Sequence, residues 1–179
     1  MESTRGQLLI AGPTLADPNF FRTVILIIEH SAEGALGLVL NRRSETTVGE
    51  VVSELDPLVE TEDALWVGGP VAPSALIVLA EFENTADAAL IAFADIGVPA
   101  TDAGDGPPAV RRGRAFVGHA GWGPGQLDAE LERGDWMLEP AVREDAFTSE
   151  PNDLWSSVLI RKGGSYALVA RMPPDPSVN

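Results

Sequence analysis

The stretch Thr23-Val24-Ile25-Leu26-Ile27-Ile28-Glu29-His30-Ser31-Ala32-Glu33-Gly34-Ala35-Leu36-Gly37-Leu38-Val39-Leu40 holds two apolar runs on either side of a turn-forming segment, Ser31 to Gly34. Two runs of strand length joined by so short a connection predict an antiparallel hairpin. Neither run alternates with polar residues, so both strands are expected to be buried on two faces. A hairpin buried on both sides needs further strands beside it and helices or loops over it. The rest of the chain supplies them.

Outward from the hairpin, Gln7 to Ala11 is a short apolar run closed by Gly12-Pro13 and reads as a strand, with Asp17-Pro18-Asn19 as a turn before Thr23. Leu65 to Val67, Ala75 to Phe82, Leu90 to Ile96, Ala115 to Gly118 and Asp135 to Leu138 read as further strands. Thr47 followed by Glu50 has the form of a capping box, opening a helix through Leu55 that Asp56-Pro57 closes. Gln126 to Arg133, closed by Gly134, and Pro151 to Ile160 are the other predicted helices. Tyr166 to Met172 fits either type. Thr101 to Arg114 is rich in Gly, Pro and charge and is expected to be a long exposed loop. Helices neither alternate with strands nor segregate from them, which predicts an α+β fold on a largely antiparallel or mixed sheet with flanking helices. Residues 1–179 are expected to form one domain.

The chain of 179 residues has no cysteine, which excludes disulfides, thiolate catalysis and Cys-based metal sites. Its longest apolar runs fall well short of the ~20 residues that cross a bilayer, and residues 1–7 lack the pattern of an export signal. A cytoplasmic protein without a membrane role is expected. The formal net charge is −15 and lies unevenly: residues 44–110 hold 13 acids and no base, while the remainder holds 12 bases and 14 acids. Such a balance argues against a long nucleic acid, whose affinity comes from Lys and Arg on phosphates. The acidic segment reads as a solvated face, with a docking surface for a basic partner as the alternative. The Arg-bearing segments outside it are close to neutral and leave room for a small anion.

Gly121, Trp122, Gly123, Gly125 and Gln126 belong to the most unusual stretch, a glycine-rich segment just ahead of a predicted helix. Backbone N–H groups and a helix N-terminus can hold phosphate or carboxylate there, while a tight turn around a core tryptophan is the structural alternative. The segment matches neither the dinucleotide fingerprint nor the P-loop. Arg22, Arg42 and the cluster Arg111, Arg112 and Arg114 supply forks suited to anions, with a solvated loop carrying incidental charge as the alternative reading of the cluster and, similarly, of the Asn41-Arg42-Arg43 group. Asn41 reads as a left-handed turn residue or a ligand, and His30 and His119 as hydrogen-bonded structural histidines or acid–base groups. Two histidines without metal-ligand spacing imply no metal site, and no cofactor motif or catalytic constellation is present. Trp66, Trp122, Trp136 and Trp155 are expected in the core.

Several segments together resemble the YqgE/AlgH family of bacterial proteins: Gly6-Gln7-Leu8-Leu9-Ile10-Ala11, Asp17-Pro18-Asn19-Phe20, Arg22-Thr23-Val24, Glu29-His30, and Glu33 through Arg42. Gly68-Gly69-Pro70-Val71, Ala120-Gly121-Trp122-Gly123, Gly125-Gln126-Leu127-Asp128, and Pro174-Asp175-Pro176-Ser177 with Asn179 continue the match in the family's order. The resemblance implies a compact α+β fold on a bent, barrel-like sheet. Proteins of this kind are often labelled transcriptional regulators, and the family has no established catalytic residues to carry over. His119 stands where the family usually has Tyr, and Ala80 where many members have His, so a shared histidine site is not implied. Two functions are therefore expected in parallel. One is a regulatory or interaction protein with a protein partner and no direct DNA binding; the other is a binding protein for a small anion or nucleotide, with hydrolysis as its extension.

Overall fold

The computed structural model describes residues 2–51, 58–100 and 106–175. Ten strands form one curled sheet: β1 (Gln7–Ala11), β2 (Val24–Ser31), β3 (Gly34–Val39), β4 (Arg43–Thr47), β5 (Ala64–Val67), β6 (Val71–Phe82), β7 (Ala88–Phe93), β8 (Ile96–Pro99), β9 (Val110–Trp122) and β10 (Trp136–Pro140). The helices are α1 (Val48–Val51), α2 (Gln126–Glu132), α3 (Arg143–Ala146), α4 (Leu154–Lys162) and α5 (Ser165–Val169). Along the sheet the order is β10-β1-β2-β3-β9-β6-β8-β7, with β5 beside β9 and β4 beside β5. Every pair is antiparallel except β5 with β9. None of the described helices is long and apolar enough to cross a membrane.

The hairpin forms as its sequence requires, with Ile25 opposite Val39 and Ser31 opposite Gly34. Its two apolar faces have different destinations. Val24, Leu26, Ile28, Leu38 and Leu40 point into the curl of the sheet and pack against Trp155, Val158 and Leu159 of α4. Ile25, Ile27 and Val39 point the other way, onto Trp122, Leu127 and Trp136. All four tryptophans are buried. Strand periodicity of two places successive side chains on opposite faces, so a run without alternation is satisfied only by this double covering.

Several expectations change. Leu90 to Ile96 is two strands rather than one: Ala94 adopts a φ of 48° and the chain reverses there, so that Phe93 faces Ile96. Nothing local signals a turn built on alanine. The predicted loop over Thr101 to Arg114 is strand from Val110 onward, because β9 is 13 residues long and runs beside β6. Its arginines find partners there: Arg112 reaches Glu81 at 2.7 Å, and Arg111 and Arg143 both bind Asp95. Residues 101–105 of that loop, and residues 52–57 of the helix expected through Leu55 and its Asp56-Pro57 end, lie outside the described residues. The start of that helix is as expected, with the Thr47 N–H donating to Glu50 at 2.7 Å. Tyr166 to Met172 is largely helical, as α5.

Asp95 is held below the usual carboxylate range, first by the hydrogen bond from Arg143. A carboxyl whose folded pKa is depressed stabilises the fold above its unfolded value near 3.8 and loses that contribution as pH falls through the lower folded value. Urea midpoints should therefore decline below about pH 4, and Asp95→Asn should flatten that decline by up to about 1 kcal/mol, the range of surface ion pairs. An unchanged pH profile in the variant would contradict the assignment.

Candidate functional site

A cleft of about 950 Å³ opens where the ends of β2 and β3, the strand β4 and the segment before α4 meet. Its position follows from the turn that precedes β2. Arg22 adopts a left-handed φ of 51°, which brings its carbonyl to the Asn41 Nδ2 at 2.9 Å, while the Asn41 Oδ1 accepts from the Val24 N–H at 3.0 Å. Asn41 is therefore a side-chain clamp and not a left-handed residue; the positive φ falls on its partner. This clamp sets Arg22, Asn41 and Arg42 side by side on the wall of the cleft.

Arg22 stacks over Trp155 at 4.3 Å and donates to the Met172 carbonyl, and partial burial lowers its pKa. Arg42 donates to the Phe21 carbonyl at 2.7 Å. Arg43 adds a third, exposed guanidinium, and the hydroxyls and amide of Ser44, Thr46, Thr47, Ser149, Asn152 and Ser156 complete the polar lining, with Glu45, Glu62 and Glu150 at the same cleft. A second pocket of about 270 Å³ shares Arg43, Ala64 and Ser149 with it and adds Arg114.

The arginines of this region differ from most of the chain's other bases, Arg5 and Arg171 aside. Arg111, Arg112, Arg133, Arg143, Arg161 and Lys162 each pair with a carboxylate. Among the described residues Arg22, Arg42, Arg43 and Arg114 make no such ion pair; their mapped bonds go to backbone carbonyls and aromatic faces. Glu45, Glu62 and Glu150 line the main cleft and Asp63 the second pocket, so the lining as a whole is balanced in charge; its distinguishing feature is four guanidinium groups not bonded to those carboxylates around one connected space.

The remaining expected site residues lie elsewhere. The Gly121, Trp122, Gly123, Gly125 and Gln126 group gathers around a carboxylate: Glu130 accepts from the indoles of Trp122 and Trp136, each at 2.9 Å, and from Gln126 at 3.0 Å. The Gln126 Oε1 takes the Gly123 N–H, and α2 is only seven residues long. Glu130 thus takes the side-chain donors of this segment, and Gln126 takes the Gly123 N–H. His30 is buried in a third location, where its Nδ1 accepts from the Thr4 N–H at 3.2 Å and its Nε2 stands 3.9 Å from Asp128. His119 has an Nδ1 buried without a hydrogen-bond partner among the described residues. Of the candidates, only Arg22, Asn41 and Arg42 share a cleft. Arg43 is legible in sequence only as part of the Asn41-Arg42-Arg43 group, and nothing in sequence connects that group to the hydroxyls of Ser149 or Ser156. No group of metal-ligating side chains occurs among the described residues.

The whole chain has relatives. A UPF0301 protein of Thermobifida fusca is 41% identical over 99% of this chain and 96% of its own. One of Streptomyces coelicolor is 37% identical over 100% of this chain and 97% of its own. Among solved structures, a protein of Corynebacterium diphtheriae superposes with a TM-score of 0.81 at 33% identity, covering 95% of this chain and 93% of that one. The solution structure of AlgH from Pseudomonas aeruginosa gives 0.72 at 30% identity, over 96% and 95%. The profile of the DUF179 family, described as AlgH-like, matches residues 8–167, and the chain belongs to that family.

Proposed function

We propose that this is a cytoplasmic binding protein for a small phosphate-bearing anion, acting as a regulatory or interaction protein rather than as a direct reader of DNA. The observation that supports it is the set of arginines without carboxylate partners around the cleft. Three guanidinium groups flanked by hydroxyls offer more donors than the two oxygens of a carboxylate accept, and they suit the terminal oxygens of phosphate. Arg22 also binds the Met172 carbonyl, so an occupied cleft communicates with the C-terminal segment, where Leu168 and Met172 are exposed. That surface suits a protein partner. The acidic balance of the chain supports the exclusion of long nucleic acids.

A ligand that binds only the folded state stabilises it, by about 2.7 kcal/mol at a hundredfold excess over Kd. For a domain of this size that raises Tm by roughly 5–10 °C. A melting screen with phosphate, phosphorylated metabolites and nucleotides should show such shifts. Arg43→Gln should weaken the response about tenfold or more in Kd, since hydrogen bonds to charged groups contribute ~1.5–3 kcal/mol. Arg43 makes no mapped side-chain bond, so this variant should itself melt within about 2 °C of the parent protein. No shift with any phosphate-bearing compound would refute the reading.

A further inference from the structure

Arg114 is a half-buried cation with no directly bonded carboxylate among the described residues. It lies within β9, over the Trp66 ring at 4.1 Å and 5.9 Å from that of Phe147, and donates through Nη1 to the Thr148 carbonyl at 2.8 Å. Among the described residues its other N–H groups meet no acceptor. Burial, with the like charges of Arg112 and Arg43 nearby, brings it down to about 10, and Asp63 offsets this only in part. A guanidinium half withdrawn from water, facing other guanidinium groups and lacking a directly bonded carboxylate, is held at a cost that a bound anion would relieve. Its two aromatic neighbours fix the plane of the fork, which reduces the freedom lost when an anion binds. The pocket it lines is contiguous with the main cleft through Arg43 and Ser149.

We infer that the Arg114 pocket is a second phosphate subsite, joined to the main cleft through Arg43, and that the ligand carries two linked phosphoryl groups. This rests on the reading of the main cleft as a phosphate site. Linking two groups makes the second contact intramolecular, so affinity should exceed that of a single phosphate once the linker spans both positions.

The test is calorimetric titration of the full chain with orthophosphate and with linear di-, tri- and tetraphosphate at fixed ionic strength. At the length that spans the two subsites, the parent protein should bind roughly tenfold or more tightly than it binds orthophosphate. Arg114→Met should reduce that ratio to within about twofold, and Arg114→Lys, which keeps charge but loses the fork, should restore only part of it. Melting curves establish that each variant is folded, and Arg114→Lys carries the test if the methionine variant is not. A flat series in the parent protein, a gain that survives Arg114→Met, or full retention in Arg114→Lys would each overturn the second subsite. Orthophosphate and polyphosphates all failing to bind would remove the main cleft reading with it.

Discussion

Replacing Arg161 by methionine should destabilise the protein by about 3 kcal/mol, on the order of 10 °C in Tm. Asp145 is only 3% exposed, and Arg161 binds it through two parallel bonds of 2.9 and 2.8 Å. The same carboxylate accepts from the Val142 N–H at 2.9 Å, which closes the first turn of α3. Removal of the guanidinium leaves a buried carboxylate with one neutral donor, a cost of ~3–5 kcal/mol for such pairs. The lower end applies because the Arg161 side chain is 35% exposed and water reaches it. Adding Asp145→Asn to the variant removes the orphaned charge while retaining an acceptor for Val142, and should recover more than half of the loss. Urea unfolding of the single and double variants measures both. A single variant within 1 kcal/mol of the parent would show that the pair acts as an ordinary surface bridge.

A larger contrast is expected between two glycines with the same backbone angle. Gly118 and Gly125 both have a φ of 71°, where an L side chain is strained by ~1–2 kcal/mol. A methyl group on Gly125 meets nothing within 4 Å, whereas on Gly118 it would strike the carbonyls of Gly69 and Val71. Those carbonyls cannot withdraw freely, because β9 is paired with β5 on one side and β6 on the other. Overpacking against fixed backbone adds ~1–3 kcal/mol. Gly118→Ala should therefore cost about 3–4 kcal/mol and Gly125→Ala about 1 kcal/mol in the same denaturation experiment. Equal costs would mean that the close approach of Gly69 to β9 imposes no constraint.

These cases indicate where sequence is informative. The hairpin of β2 and β3 is legible because a run such as Val24 to Ile28, apolar at every position, has few folded solutions. The division between β7 and β8 is not, since the turn rests on Ala94, a residue with no preference for positive φ. Nor is the charged start of β9: Arg112 and Arg114 sit in a strand because Glu81 and the Phe147 and Trp66 rings receive them, and those partners are distant in sequence. The same limit governs the site. Asn41 and Arg42 are visible as a pair, but their meeting with Arg22 depends on a clamp across 19 residues, and that with Ser149 and Ser156 on the placement of α4. The glycine-rich segment is unusual in composition, and within it the Gly123 N–H and the Gln126 amide are matched internally, by Gln126 and Glu130. Local chemistry can be read from such a stretch, but not which donors remain free.

The pairing of β1 carries a consequence for synthesis on the ribosome. This strand is made well before one of its two neighbours, β10 at residues 136–140, and the Trp155 indole closes the Ala11 carbonyl only after about 15 more residues have appeared. β3 likewise waits for β9 to cover its far edge. Until those partners are made, the hairpin and β1 stand as a three-stranded sheet whose β1 and β3 edges are open, the kind of surface that invites pairing with other nascent chains. Closure of this sheet therefore waits on distant segments, and the growing polypeptide is expected to be a client for whatever shields exposed strands until residue 155 is free of the exit tunnel.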